Sequence, residues 1–194
     1  MDKDRLLRSI AETGYNVGYG AKKHFATYDI VEKIPGWISF VSTCFGVLGL
    51  VHEKLSDKTL AATLVILGFV GLYIYLYDPK KMEYERVGIE LTKIYNELRD
   101  LYRSVQSSSA TQFTAEAERL RAIEDAYYSK GITKQILFSD WYAHYKFFWQ
   151  HQIDWINEQK NFRLFRDKIP LTFTAFIITA VVVVAAYLLL RLAD

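Results

Sequence analysis

Charged and apolar positions are sorted into blocks along this chain. Residues 34–51, 60–77 and 170–190 contain no Asp, Glu, Lys or Arg. As helices rising ~1.5 Å per residue they measure ~27 to ~31 Å, close to the hydrocarbon thickness of a bilayer. A helix buried in a water-soluble core is usually shorter and keeps a polar face. The blocks therefore predict three membrane spans. The first is the most diluted, by Gly36, Ser39, Ser42, Thr43, Gly46 and Gly49.

Between the second and third blocks the pattern turns amphipathic. Leu91, Ile94, Leu98, Leu101 and Val105 recur at steps of three and four, with Tyr95 and Tyr102 beside them. That spacing is a helical stripe. Asp78-Pro79 predicts an interruption between the second span and this helix. The serine-rich stretch 106–111 reads as a turn or link. A second helix follows, with Thr114 as its cap, Ala117, Leu120, Ile123 and Tyr127 as its apolar face, and Gly131 as its end. A long third helix is expected from about 133 toward Pro170. Its aromatic positions Phe138, Trp141, Tyr145, Phe148 and Trp155 are placed on one face, for packing or for receiving a partner. No strand signal is present, so the fold class is an all-α membrane protein. It comprises a cytosolic amphipathic N-terminal helix (1–33), a two-span hairpin (34–77), a cytosolic helical bundle with long helices (78–169) and a third C-terminal span (170–191).

A short phrase marks two of the spans. Glu32-Lys33-Ile34-Pro35 precedes the first, and Asp167-Lys168-Ile169-Pro170 precedes the third. Proline suits the first turn of a helix, and a lysine just outside can reach the headgroups. Spans one and three run in the same direction in a three-span chain, so the repeated phrase fits a common point of departure. Lys22, Lys23 and Lys33, then Lys80, Lys81 and Arg86, then Arg163, Arg166 and Lys168 flank one side. The link 52–59 holds Lys54 and Lys58, offset by Glu53 and Asp57. By the positive-inside rule the N-terminus and the helical region are cytoplasmic and the C-terminus is outside. The first apolar block starts too far in, and lacks the small-residue site, to be a cleaved leader.

Composition narrows the chemistry. A net charge of +2, with no long basic run, does not suggest a nucleic-acid surface. Cys44 is the single cysteine and lies in an apolar block, so no disulfide forms within one chain. His144 and His151, seven apart with Asp140 nearby, fall short of the three or four converging ligands a metal needs. No nucleophile elbow or phosphate-binding glycine loop accompanies them. Neither an enzyme nor a cofactor is expected. Small and hydroxyl residues instead line the spans. Ser39, Ser42, Thr43, Gly46 and Gly49 share a helical face, as do Ala61, Gly68 and Gly71, and then Thr172, Ala175, Thr179 and Ala186. Such stripes let membrane helices approach closely. In an oligomer the first could instead line a water path, gated by apolar constriction because no charged ring is present.

The segment running from Thr13 through the first span carries Tyr15-Asn16 and Ala21-Lys22-Lys23-His24. A tight pair of spans follows, then a charged helix with Leu91, Tyr95 and Leu98. These features resemble the SLATT family, small bacterial membrane proteins with paired spans and a helical cytosolic extension. The resemblance implies a membrane effector of anti-phage defence, predicted to form pores. It also implies association with a separate nucleotide-signal synthase or sensor protein, and an abortive-infection outcome at the bacterial inner membrane. From the residues themselves, Lys22, Lys23 and His24 are expected near anionic lipid headgroups, with a nucleotide phosphate as the lesser reading. A homo-oligomeric pore-forming effector is the leading expectation. A non-conducting anchor or scaffold, recruiting a partner through Trp141, Tyr145, Phe148 and Trp155, is the alternative.

Overall fold

A single helix, α1 (Lys3–Val51), begins the chain. The Asp2 carboxylate caps it by accepting from the Arg5 N–H at 2.9 Å. The structure, a computed structural model, describes residues 2–52 and 58–193. The charges of the predicted link at Glu53, Lys54 and Asp57 lie outside the described residues. The sequence predicts an N-terminal helix followed by a separate span, but α1 runs through both. Pro35 sits inside it rather than in its first turn. An internal proline forfeits one hydrogen bond, here to the Val31 carbonyl, and the remaining length of α1 carries that loss. Pro170 does mark a start: its carbonyl accepts the Thr174 N–H at 3.0 Å, one residue ahead of α8. The repeated phrase therefore has two different structures.

α2 (Lys58–Tyr75) returns and ends at a 3-10 turn, Asp78–Lys80, built on Pro79. α3 (Lys81–Ser107) then packs along the first half of α1. The two are antiparallel, since Gly18 meets Tyr95 while Gly88 meets Phe25. The predicted stripe of α3, Leu91, Ile94, Tyr95, Leu98, Leu101, Tyr102 and Val105, is buried against Leu6, Ile10, Val17 and Ala21 of α1. At roughly 1.5–3 kcal/mol per fully buried large apolar side chain, this interface is the main stabilising element of the bundle. α4 (Thr114–Tyr128) adds Leu120 and Ile123 to that core. Its cap position is Phe113, and the Thr114 side chain makes no capping bond. Gly131 lies beyond its end, without the left-handed backbone of a glycine cap.

The long third helix is three pieces: α5 (Ser139–Gln150), α6 (Asp154–Lys160) and α7 (Leu164–Asp167). Asn161, at φ 49°, ends α6 in the left-handed conformation that asparagine tolerates. Trp155 on α6 turns into the core and donates from Nε1 to the Tyr95 hydroxyl at 3.0 Å. α8 (Leu171–Ala193) completes the chain. The described residues contain helices and no strand.

Candidate functional site

Among the described residues, three helices are long and apolar enough to cross a membrane: the second half of α1, α2, and α8. Almost none of their residues is buried, and all of 171–189 are exposed. Apolar surface on this scale is far beyond what a soluble monomer presents to water, and lipid accommodates it. The span hydroxyls agree with that solvent. Thr43 donates to the Ser39 carbonyl at 2.8 Å, Thr63 to Thr59 at 2.8 Å and Thr179 to Ala175 at 2.9 Å. Each hydroxyl is satisfied within its own helix, as a lipid-facing polar group must be.

A collar of polar and aromatic contacts joins the bases of the spans to the bundle. Lys81 reaches Glu32 of α1 at 2.8 Å and Asp78 at 3.1 Å. Asp29 accepts from Lys33 at 2.6 Å and also from Lys146 of α5. Burial pushes the Asp29 carboxyl up, but the hydrogen bonds from Lys146 and Lys33 outweigh it and hold the group below its ordinary value. Tyr84 donates to the Lys134 carbonyl at 2.6 Å, and the Lys134 ammonium stands 5.2 Å from the Tyr77 ring centre. Trp141 donates from Nε1 to the Thr172 hydroxyl at 2.9 Å. Its ring meets Phe138, Phe173 and Phe176 at 5.0, 5.3 and 5.5 Å. α5 thus grips the first turns of α8 while its Lys146 holds α1. The part-exposed pairs of Lys81 contribute only ~0–1 kcal/mol each, whereas Lys146 and Asp29 are largely shielded from water, at 17% and 13% exposed.

The predicted site residues are distributed unevenly over this frame. Ser39, Thr43 and Gly46 are exposed, while Ser42 and Gly49 are half-buried. The proposed aromatic face is divided. Phe148 and Trp155 are buried in the core, Tyr145 is exposed, and Trp141 serves the collar. The face α5 turns inward is Ala143, Phe147 and Phe148, because the break after Gln150 removes Trp155 from that helix. Tyr15 packs edge-on to Phe147 at 5.4 Å, and Asn16 is exposed.

The three residues of the basic cluster have different surroundings. His24 is buried. It accepts from the Ile132 N–H at Nε2, 3.2 Å away, so its proton is on Nδ1, directed at the Gly20 carbonyl at 2.8 Å. Burial, chiefly, lowers its pKa. Lys23 pairs with Asp140 at 2.8 Å. Lys22 is half-buried without an acidic partner among the described residues, and burial followed by Lys146 lowers its pKa. His144 hydrogen-bonds the Asp167 carbonyl at 2.9 Å, whereas His151 lies against Tyr95 with ring centres 4.6 Å apart. Among the described residues, no three His, Cys, Asp or Glu gather to hold a metal ion. Asp29 and Lys146 belong to the collar although no periodicity in the sequence singles them out, and Phe138, expected on the aromatic face, belongs to it as well. Phe138 is held at φ 67°, unusual for a side chain of its size.

The family model described as SMODS and SLOG-associating 2TM effector domain 6 matches residues 1–177. The match stops a few residues into α8, so it covers both helices of the first apolar pair and the whole bundle. Neither a curated protein nor a solved structure gives a match.

Proposed function

We propose a membrane effector that acts on the bilayer itself, from the premise that this chain belongs to the SLATT family, the SMODS and SLOG-associating 2TM effector domains. In this reading residues 34–51 and 60–77 form the spanning hairpin and α8 crosses a third time. The first half of α1 and α3 to α7 form a bundle in the cytoplasm of a bacterial cell. The C-terminus emerges outside the inner membrane. Several copies assemble, and a defence signal, made or sensed by a separate protein, opens a path that dissipates the membrane potential and stops the infected cell.

The observation that supports assembly is the open position at Gly46 on the small-residue face of span one, where Ser42 and Gly49 are half-buried. A methyl group placed on Gly46 would meet nothing within 4 Å. In lipid such faces are where helices approach one another, and within one chain this position is left open. One chain with three spans also encloses no pore, so conduction needs further copies.

The test is regulated expression in bacteria with a potential-sensitive dye. The wild-type chain, with its signalling partners present, is expected to depolarise the membrane. The triple change Ser39→Leu, Ser42→Leu and Thr43→Leu is expected to insert normally and lose that effect. Full depolarisation by the leucine variant would overturn the assignment of this face. A non-conducting anchor is the second reading, favoured by Tyr145 and Trp149, exposed one turn apart on α5 at 51% and 59%. An anchor would capture its partner as well with the leucine variant as without it.

A further inference from the structure

A cavity of about 390 Å³ opens between α1, α3, the end of α4 and the segment that follows it. That volume is within the range of small-molecule sites. Its floor is Gly20 and Leu91, and its back wall is held by the Ile132 N–H bond to His24. The lining carries one cation, Lys23, and no carboxylate. Lys23 is paired with Asp140, yet the two side chains are 31% and 59% exposed. Water screens such a pair, so an incoming anion can compete for the ammonium.

Donors and aromatic faces are among the other lining groups. The Tyr127 hydroxyl has no hydrogen-bond partner among the described residues, and the N–H groups of Gly131 and Thr133 donate to none of them. The Tyr128 ring is 76% exposed and rests against Tyr127 at 5.2 Å, an aromatic shelf at the mouth. Rings of this kind stack planar ligands, and unpaired donors beside a lysine attract negative charge.

We propose that this cavity binds a planar aromatic anion, with its ring on Tyr128 and its charge at Lys23. α1 continues from the cavity into span one without a break, so an occupant contacts the helix that enters the membrane. This role as an input rests on the effector reading, whereas binding does not.

Binding is measured by calorimetry on the full chain in detergent. The probes are adenosine 5′-monophosphate and 4-hydroxybenzoate, with adenosine as the uncharged control. At least one anion is expected to saturate the site about tenfold more tightly than adenosine. A response to the nucleotide alone assigns a phosphate ligand, and to the benzoate alone a carboxylate. Lys23→Gln and Tyr128→Ala are each expected to weaken binding about tenfold with the melting temperature unchanged. Gly20→Leu grows into the cavity from a Cβ position with ordinary contacts of 3.6 and 3.7 Å, and is expected to abolish binding. The proposal is overturned if neither anion binds the folded chain, if adenosine binds as tightly as the tighter of the two anions, or if Lys23→Gln, Tyr128→Ala or Gly20→Leu binds undiminished. Binding without any depolarisation in cells would leave the site standing and refute the effector reading.

Discussion

Gly18 and Gly20 stand two residues apart on α1 and answer to different neighbours. A Cβ on Gly18 would come within 2.8 Å of the Tyr95 ring and 2.9 Å of Phe147. Tyr95 is not free to yield, since its hydroxyl donates to the Gln152 carbonyl at 2.8 Å and accepts from Trp155. Gly18→Ala should therefore lose ~1–3 kcal/mol to overpacking. Gly20→Ala meets ordinary contacts and should be neutral, or up to ~1 kcal/mol more stable from helix propensity. Thermal unfolding in detergent distinguishes them, and equal melting temperatures for both variants would refute the close approach. His151 provides a second expectation. Burial, then Lys22 and Arg99, push its pKa down to about 4. The unfolded imidazole, near ~6.5, takes up a proton first. Stability is therefore complete above ~6.5 and is lost as pH falls toward about 4. Asp29 and Asp167, held low by their partners, contribute their losses at more acid pH. His151→Phe keeps a ring against Tyr95 and should flatten the slope between pH 6.5 and 4, and an unchanged slope would exclude His151 as its source.

Among the helices, α5 has the least legible role. Its pattern reads as one long amphipathic helix, whereas in the fold it is a short connector with contacts at both ends. The breaks at 151–153 and 161–163 contain neither glycine nor proline, so nothing local announces them. They follow from Trp155 and Phe162 packing into the core, a demand of tertiary structure. Trp141 shows the consequence, because its neighbours on α8 are about thirty residues away in sequence. Trp141→Ala removes a hydrogen bond and three ring contacts, each worth ~0.5–1.5 kcal/mol. Hydrogen exchange should then accelerate at the base of α8, around Thr174 to Phe176, while α1 and α3 stay protected. Unchanged exchange there would mean that the collar does not hold the third span. α3 and α4, by contrast, carry their buried faces openly in their spacing, because each packs along one continuous side.

For the molecule as a whole, the distribution of lysine and arginine leads to an orientation that labelling can check. On a Cys44→Ser background, His52→Cys should react with an impermeant maleimide in intact cells. Ser109→Cys, at the far end of the bundle, should react only after permeabilisation. The reverse pattern would invert the protein in the membrane. The continuity of α1 matters here, since one helix runs from the bundle through the first apolar stretch.

The helical class and three apolar segments long enough to cross a bilayer follow from the chain alone, because length and polarity are properties of each segment independently of any partner. The same holds for the buried stripe of α3, where one face meets one neighbour. Which residues meet across the chain was decided by packing: Trp141 on Thr172, Lys146 on Asp29, His24 on Ile132. A contact between distant segments depends on how every intervening helix ends, and those endings, at Asn161 and before Trp155, were set by the core rather than by local sequence.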